Sequence, residues 1–349
     1  MSFQVIESLQ IEFNDNNILS SLFGVEDSNI QFLEKINNVK IEYRGNIVKI
    51  SGNKLSIQET KKALEKLFVE AKKGIEIDEE KIKDTKSLLS LDIKDDSQLD
   101  LFIQTKKRKI IPRSQNQKKY FELLNINNII FAIGPAGTGK TFLAVAKAVS
   151  CLQKGLVKKI ILSRPAVEAG EKLGFLPGDL KEKVDPFLRP IYDALYEMMP
   201  YDQVEKKINN GIIEIAPIAF MRGRTLEDCF IILDEAQNTT RVQMKMFLTR
   251  LGKNSKMVIA GDKTQIDLVT NKESGLLDSE NKLKNIKDIG FIYLEDKDVA
   301  RHDLVRKIIN AYQTFKWFIT LFQVNQIIGQ GDLWKLTTLL IKFSFIKKI

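Results

Sequence analysis

The stretch that decides the fold is Asn128-Ile-Ile-Phe-Ala-Ile133 followed by Gly134-Pro-Ala-Gly-Thr-Gly139-Lys140-Thr141. It places an apolar strand directly before a glycine-rich loop, and an amphipathic segment over Thr141 to Leu152 follows at once. The pattern G-x-x-x-x-G-K-T needs this context, because its glycines let backbone N–H groups turn inward and the helix N-terminus adds its positive end. The stretch therefore predicts a strand, a phosphate-binding loop and a helix in succession.

Each residue of this loop has an expected task toward a bound nucleotide. Lys140 is expected to reach the β and γ phosphates, and Thr141 is expected to give its hydroxyl to Mg²⁺. The backbone is expected to cradle the phosphates at Gly134, Pro135, Ala136, Gly137, Thr138 and Gly139. Gln117, in a predicted helix before the first strand, could read an adenine edge; a surface position on that helix is the alternative.

Five more apolar runs read as strands, with helical periodicity between them. They cover Lys159 to Ser163, Gly211 to Ile215, Phe230 to Asp234, Lys256 to Gly261, and Gly290 to Leu294. A helix is predicted over Arg241 to Leu251 and another over Ser114 to Leu124. This alternation predicts an α/β fold in which helices cover both faces of a parallel sheet.

Two adjacent acids end the strand Phe230 to Asp234. Asp234 is expected to hold Mg²⁺ through its water shell, and Glu235 to accept a proton from an attacking water. After the strand Lys256 to Gly261, Gln265 is expected to sense the γ phosphate. A solvent-facing loop position is the alternative for Gln265.

Composition narrows the chemistry further. The 349 residues carry 54 Lys and Arg against 45 Asp and Glu, a net charge of +9 that favours a polyanionic partner. Two cysteines and one histidine, His302, exclude a disulfide framework, a four-cysteine zinc site and a His-paired metal motif. Catalysis would rest on carboxylates, lysine, arginine and a metal ion.

Neither end of the sequence predicts membrane insertion. The start, MSFQVIESLQ, has no basic stretch followed by an apolar one, as a secretory signal would. The apolar run Trp317 to Gly329 is interrupted by polar residues and is shorter than the roughly 20 residues a spanning helix needs. We expect a cytoplasmic protein.

Four regions are predicted along the chain. Residues 1–75 form a small α/β unit, whose last helix begins at the capping box Ser56-x-x-Glu59 and ends near Gly74. Residues 76–110 form an acidic-to-basic linker with room for one helix, and its basic run Lys106 to Lys109 is either a solvated stretch or a nucleic-acid contact. Residues 111–314 form the P-loop domain, and 315–349 form an apolar and basic tail without a familiar pattern.

From about Ile111 to Tyr312 the chain resembles the PhoH family of P-loop ATPases, which are similar to the first core domain of superfamily 1 helicases. The resemblance rests on the two nucleotide motifs and on Ser163-Arg-Pro165, Gly174-Phe-Leu-Pro-Gly178-Asp179, Phe220-Met-Arg-Gly-Arg224-Thr-Leu226, Asp234-Glu-Ala-Gln237-Asn238 and Gly261-Asp-x-x-Gln265. Residues 1–75 are similar to the family's N-terminal domain, in Leu22-Phe-Gly24 and Arg44-Gly45-Asn46, and look KH-like. The resemblance implies a RecA-like core that follows a KH-like domain.

The resemblance also implies a function: Mg²⁺-dependent hydrolysis of ATP in RNA metabolism, in ribosomal RNA maturation or RNA remodelling. Single-stranded RNA and an endoribonuclease that acts in ribosomal RNA maturation are the implied partners, and RNA helicase activity stays open. Because motors of this type close two cores around nucleotide, we expect a homo-oligomeric ring, a hexamer being the leading form. Its arginine finger would be Arg222, Arg224 or Arg301.

Two other functions fit the same residues. A nucleotide-switched module could bind RNA or a ribonuclease with little turnover of its own. A small-molecule kinase could use the same loop, but Glu235 directly after Asp234 argues against it, because a kinase must not activate water.

Overall fold

A small antiparallel sheet with helices opens the part of the chain that the structure, a computed structural model, describes. That part comprises residues 7–90, 102–165, 180–268 and 274–299, with Leu304 and Ile308. The first elements are β1 (Glu7–Glu12), α1 (Asn16–Phe23), α2 (Ser28–Asn37), β2 (Val39–Arg44), β3 (Ile47–Gly52), α3 (Lys54–Lys72) and α4 (Glu79–Ser90). The strands lie in the order β1-β3-β2, and both pairings are antiparallel.

Two details of this region differ from the prediction. Strand β1, which pairs along its whole length with β3, was not predicted. Helix α3 begins at Lys54 and not at a Ser56 capping box, because the Asn53 side chain accepts a hydrogen bond of 2.9 Å from the Leu55 N–H. Asn is one of the strongest N-cap residues, so the helix starts at the first such residue.

The first half of the predicted linker is packed against this small unit. Ile77 and Ile82 are buried in the same apolar cluster as Leu64 and Leu67 of α3. The buried Asn29 amide donates a hydrogen bond of 2.9 Å to the Ile77 carbonyl and ties the segment down. Apolar burial thus extends the N-terminal unit through α4, and a linker beginning at residue 76 is wrong.

The second half of the predicted linker holds a short hairpin, β4 (Ile103–Gln104) paired with β5 (Lys109–Ile110). Ile103 and Ile110 are buried in the core of the larger sheet described below. Within the basic run, Lys106 and Lys107 are exposed, and Arg108 and Lys109 are half-buried. Lys107 donates to the Tyr196 carbonyl at 2.6 Å, and Lys109 lies 3.8 Å from the centre of the Phe102 ring, so the run contacts the domain, and its contact with nucleic acid stays a prediction. The hairpin therefore belongs to the P-loop domain.

A six-stranded parallel sheet forms the centre of that domain. Its elements are α5 (Gln115–Ile126), β6 (Ile129–Ile133), α6 (Lys140–Gln153), β7 (Lys159–Arg164), α7 (Leu180–Met198), α8 (Tyr201–Asn209), β8 (Ile213–Pro217), β9 (Cys229–Leu233), α9 (Arg241–Leu248), β10 (Lys256–Gly261), α10 (Gly275–Leu283) and β11 (Ile289–Tyr293). The strand order is β11-β6-β10-β9-β7-β8. All six strands were predicted from the apolar runs, and the α/β fold with a parallel sheet is confirmed.

Successive residues of the strands enter two different apolar clusters. In β9, Phe230 and Ile232 contact the cluster beneath α5, α6 and α7, whereas Ile231 and Leu233 contact the cluster beneath α9 and α10. Both faces of the sheet are thus buried, as a continuous apolar strand requires. Because the strands are parallel, the loops that follow β6, β7, β9 and β10 meet at one edge.

The chain separates into two compact units, Met1–Asp298 and Val299–Ile349, and every element above belongs to the first. No helix among the described residues is long and apolar enough to cross a bilayer. Three predictions lie outside the described residues: the motif Gly174 to Asp179, the candidate finger Arg301 and the tail 315–349.

Candidate functional site

The glycine-rich loop joins β6 to α6, as predicted, and its glycines cannot be replaced freely. Gly137 and Gly139 have φ angles of 84° and 85°, in the left-handed region that side chains disfavour. A Cβ on Gly134 would lie 2.5 Å from the Leu294 carbonyl oxygen. The loop thus needs glycine for its curvature and for its close approach to the end of β11.

Lys140 lies in the concave side of its own loop. Its ammonium donates to the carbonyl oxygens of Gly134 at 2.7 Å and Pro135 at 2.8 Å. Tyr120, which is fully buried, donates from its hydroxyl to the Lys140 carbonyl at 3.2 Å. Burial, and then the charge of Asp234, raise the pKa of Tyr120, so this hydroxyl stays protonated and keeps donating.

Thr141 and Asp234 meet across the edge of the sheet. The Thr141 hydroxyl donates to Asp234 Oδ1 at 2.6 Å, and the Asp234 N–H donates to the Ser163 carbonyl at 2.9 Å. A hydroxyl and a carboxylate oxygen in contact form the hard-oxygen donor pair that Mg²⁺ prefers. The two residues predicted to hold the metal are therefore side by side, and their chemistry fits it.

Glu235 is fixed from both sides. Its backbone has a φ of 51°, in the left-handed region. Arg164 donates to Oε1 at 3.2 Å, and Gln237 donates to Oε2 at 2.5 Å. Both oxygens of the predicted proton acceptor are thus engaged by neighbouring side chains of the described structure.

Gln237 also links this acid to the next strand. Its side-chain oxygen accepts from the Asp262 N–H at 2.9 Å, and the residue is fully buried. Gln265 in turn donates to Asp262 Oδ2 at 2.7 Å. The ends of β9 and β10 are therefore joined by a continuous hydrogen-bond path from Glu235 to the predicted γ-phosphate sensor.

These groups surround a cavity of about 390 Å³. The loop and Phe142 form one wall, and Asp234, Glu235, Asp262 and Gln265 form the second. Pro190, Asp193, Ala194 and Glu197 of α7 form the third. The sequence predicted the first two walls through their motifs, but it carried no motif signal for α7, because that face of α7 reaches the cavity only when the helix packs on α6.

Gln117 lies behind the loop. It is 4% exposed, so the surface-helix alternative is wrong. Its amide nitrogen donates to the Thr138 carbonyl at 3.1 Å, and its oxygen accepts from the Arg113 N–H at 2.7 Å. In this arrangement the side chain supports the loop, and its predicted reading of adenine stays a prediction.

Two of the arginine-finger candidates, Arg222 and Arg224, lie among the described residues, and their surroundings differ. Arg224 makes a two-pronged ion pair with Glu214, with N–O distances of 2.5 and 2.8 Å, whereas Arg222 is exposed. Both follow β8, which is separated from β6 by three strands. Neither side chain lines the cavity described above.

The ion pair of Arg224 predicts a pH-dependent stability. The hydrogen bond from Arg224 holds the pKa of Glu214 below its ordinary value of 4.5. A lowered folded-state pKa contributes stability that is fully present above pH 4.5 and is lost as the pH falls through the folded-state value. Because both side chains are about a third exposed, we expect about 1 kcal/mol or less.

Thermal unfolding of the wild type and of Glu214→Gln tests this. The difference in Tm should be largest near neutral pH and should shrink below pH 4.5. A difference that is constant from pH 3 to pH 7 would show that Glu214 acts by packing and not by charge.

The fold and the site together define a P-loop NTPase, with the loop, the two acids and the following glutamine at adjacent strand ends. The PhoH-like protein family model matches residues 109–313, and the chain belongs to this family. It is 50% identical to a PhoH-like protein of Bacillus subtilis, over 84% of this chain and 93% of that protein. It is 46% identical to a PhoH-like protein of Mycobacterium tuberculosis, over 86% of each chain.

Two less similar proteins match a smaller share of the chain. Protein PhoH of Escherichia coli is 42% identical over 58% of each chain. Among solved structures, the SWI2/SNF2 ATPase core of Sulfolobus solfataricus matches at 15% identity with a TM-score of 0.33, over 54% of this chain and 46% of that one, and it adds nothing to the fold described above.

Proposed function

We propose that this protein binds ATP with Mg²⁺ and hydrolyses it in RNA metabolism. The observation that carries the proposal is the contact of Thr141 with Asp234 at 2.6 Å, on a cavity that Lys140 and Glu235 also line. Hydrolysis needs a phosphate cradle, oxygen ligands for a metal and a proton acceptor within one space. The chain supplies all three from the ends of two strands, β6 and β9.

In the proposed reaction, the loop N–H groups and Lys140 hold the β and γ phosphates. The metal, held by Thr141 and Asp234, would neutralise charge on the phosphate oxygens. Glu235 accepts the proton of the attacking water once one of its oxygens is released by Arg164 or Gln237. Gln265 then hydrogen-bonds to the γ phosphate or to that water.

The RNA part of the proposal is supported by charge and by family resemblance. A net charge of +9 favours a polyanion, and phosphate contacts would bring single-stranded RNA to the protein in the cytoplasm. We propose ribosomal RNA maturation or RNA remodelling as the process, with an endoribonuclease of that pathway as partner. Helicase activity would be one form of such remodelling.

A nucleotide-switched binding module is the second candidate function. The observation in its favour is that both Glu235 oxygens accept hydrogen bonds from Arg164 and Gln237. An acid held in this way leaves water unactivated until something moves it. ATP would then change affinity for RNA or a ribonuclease, and slow hydrolysis would reset the protein.

Phosphate release from ATP, measured with and without single-stranded RNA, separates the two functions. We expect turnover that RNA increases, because RNA binding would help to free Glu235. Tight ATP binding without turnover in either condition would favour the switch. Absence of ATP binding, with RNA present or not, would contradict both.

The ring is proposed from the position of Arg222. This exposed side chain follows β8, which is separated from β6 by three strands, and does not line the cavity of its own chain, so we propose that it serves the cavity of a neighbouring copy. We expect Arg222→Ala to lower kcat by about tenfold or more, the worth of one hydrogen bond to a charged group. Phosphate release by the purified variant measures this.

A mixing experiment provides the control. Glu235→Gln subunits keep Arg222 but have a disabled site, and Arg222→Ala subunits have the reverse defect. If the arginine acts in a neighbouring copy, mixing the two variants should restore part of the activity. Mixtures no more active than the sum of the two variants would overturn the proposed contact.

A further inference from the structure

One carboxylate of the N-terminal unit forms ion pairs with two arginines of the P-loop domain. The Oε1 atom of Glu80, on α4, lies 3.6 Å from Nη2 of Arg108 and 3.5 Å from Nη2 of Arg113. Arg113 also lies 3.9 Å from Asp84, one turn further along α4. Helix α4 is held in the N-terminal core by Ile82, so this group of charges joins that core to the second domain.

The Arg108 side chain contacts both Glu80 and the wall of the cavity. Its other terminal nitrogen lies 3.3 Å from Oε2 of Glu197, and its guanidinium lies 5.4 Å from the centre of the Phe142 ring. Glu197 and Phe142 both line the cavity, and Phe142 directly follows Thr141. The Arg108 side chain therefore connects α4 with two walls of the site.

Arg113 reaches the glycine-rich loop by a different path. Its backbone N–H donates to Gln117, and Gln117 donates to the Thr138 carbonyl. Arg113 thus contacts Glu80 through its side chain and Gln117, which supports the loop, through its backbone. Two separate paths therefore run from Glu80 to the nucleotide cavity, one to Phe142 and Glu197 in its walls and the other to Thr138 of the glycine-rich loop.

We propose that Glu80 is a positioning residue, through which the N-terminal unit sets the geometry of the nucleotide cavity and senses its occupancy. The inference rests on the proposed binding of ATP. By reciprocity, if Glu80 changes the affinity for ATP, ATP must change the contact at Glu80 by the same factor. A ligand bound to the N-terminal unit could use this contact to regulate the ATPase.

The exposure of these side chains separates positioning from simple stabilisation. Glu80 is 54% exposed, and Arg108 and Arg113 are 34% and 39% exposed. Ion pairs of this kind contribute little to folding stability, since water screens them. Loss of the Glu80 charge should therefore leave the melting temperature nearly unchanged, while it frees Arg108 and Arg113 to shift at the cavity.

Glu80→Gln in the full-length protein tests the inference. We expect affinity for a fluorescent ATP analogue to fall about fivefold, at the low end of coupling between linked sites. In the wild type, ATP should slow hydrogen exchange in α4, and in Glu80→Gln this protection should be lost. Arg113→Ala removes one of the two paths and should weaken binding by less, and the double variant should be no weaker than Glu80→Gln alone.

Glu79→Gln is the matched control, because Glu79 lies on the same helix and pairs at 3.6 Å only with Lys83 among the contacts described. It should bind the analogue as the wild type does. Should Glu80→Gln fail to fold, Arg108→Gln tests the same link without changing α4. Equal affinity in wild type and Glu80→Gln, with unchanged exchange in α4, would overturn this inference alone; a wild type that binds no nucleotide would overturn the proposed function as well.

Discussion

Lys140→Ala is expected to remove ATP binding at working concentrations and to lower phosphate release about a thousandfold, the scale of losing a preorganised charge at the phosphates. The ammonium sits within 2.8 Å of two loop carbonyls, at the centre of the concave side. Alanine would leave those carbonyls facing the phosphates without a compensating charge. Equilibrium binding of a fluorescent ATP analogue and steady-state phosphate release measure the two effects.

Lys154→Ala is the control for charge and for helix α6. Lys154 is exposed at the opposite end of that helix, and its backbone caps the last turn. It should bind and hydrolyse ATP as the wild type does. If Lys140→Ala retained wild-type affinity, the loop would not be the phosphate site, and the proposed function would fail.

Glu235→Gln is expected to separate binding from chemistry. The amide keeps the shape of the carboxylate but cannot accept the proton, so kcat should fall about a thousandfold, within the range for loss of general base catalysis. Affinity for ATP should stay near the wild-type value or rise, because Lys140, Thr141 and Asp234 are untouched. Single-turnover phosphate release, with binding measured in parallel, distinguishes the two.

Glu227→Gln is the matched control for this substitution. Glu227 is exposed and lies just before the start of β9, at the strand end opposite Glu235. It should leave kcat unchanged. A Glu235→Gln variant with normal kcat would show that another group takes the proton, and Asp262, on the same wall, would be the first to test.

Much of the site was predictable because its signals are local. A strand, loop and helix follow one another within 25 residues from Ile129 to Gln153, so the loop geometry needed no distant contact. Asp234 and Glu235 were predictable because an apolar strand ends in them, and parallel strands bring their carboxyl ends to one edge. The structure places both acids at that edge, and Asp234 contacts Thr141.

Other features could not be predicted because they depend on what packs nearby. Gln117 looked as much like a surface residue as a functional one, and only the approach of α5 to the loop buries it. Arg222 and Arg224 were indistinguishable until Glu214 of β8 was found to pair with one of them. The basic run Lys106 to Lys109 carried no sign of its partners on α7 and α8.

The sequence by itself determined the parallel α/β fold, the phosphate loop and the two strand-end acids of this PhoH-family protein, since hydrophobic period and motif spacing are set by neighbours along the chain. Only the tertiary structure decided where the N-terminal unit ends, which side chains hold Glu235 and which helix closes the cavity. Those features come from contacts between residues far apart in sequence, as between Arg113 and Glu80, and their free energy exists only after the chain has folded.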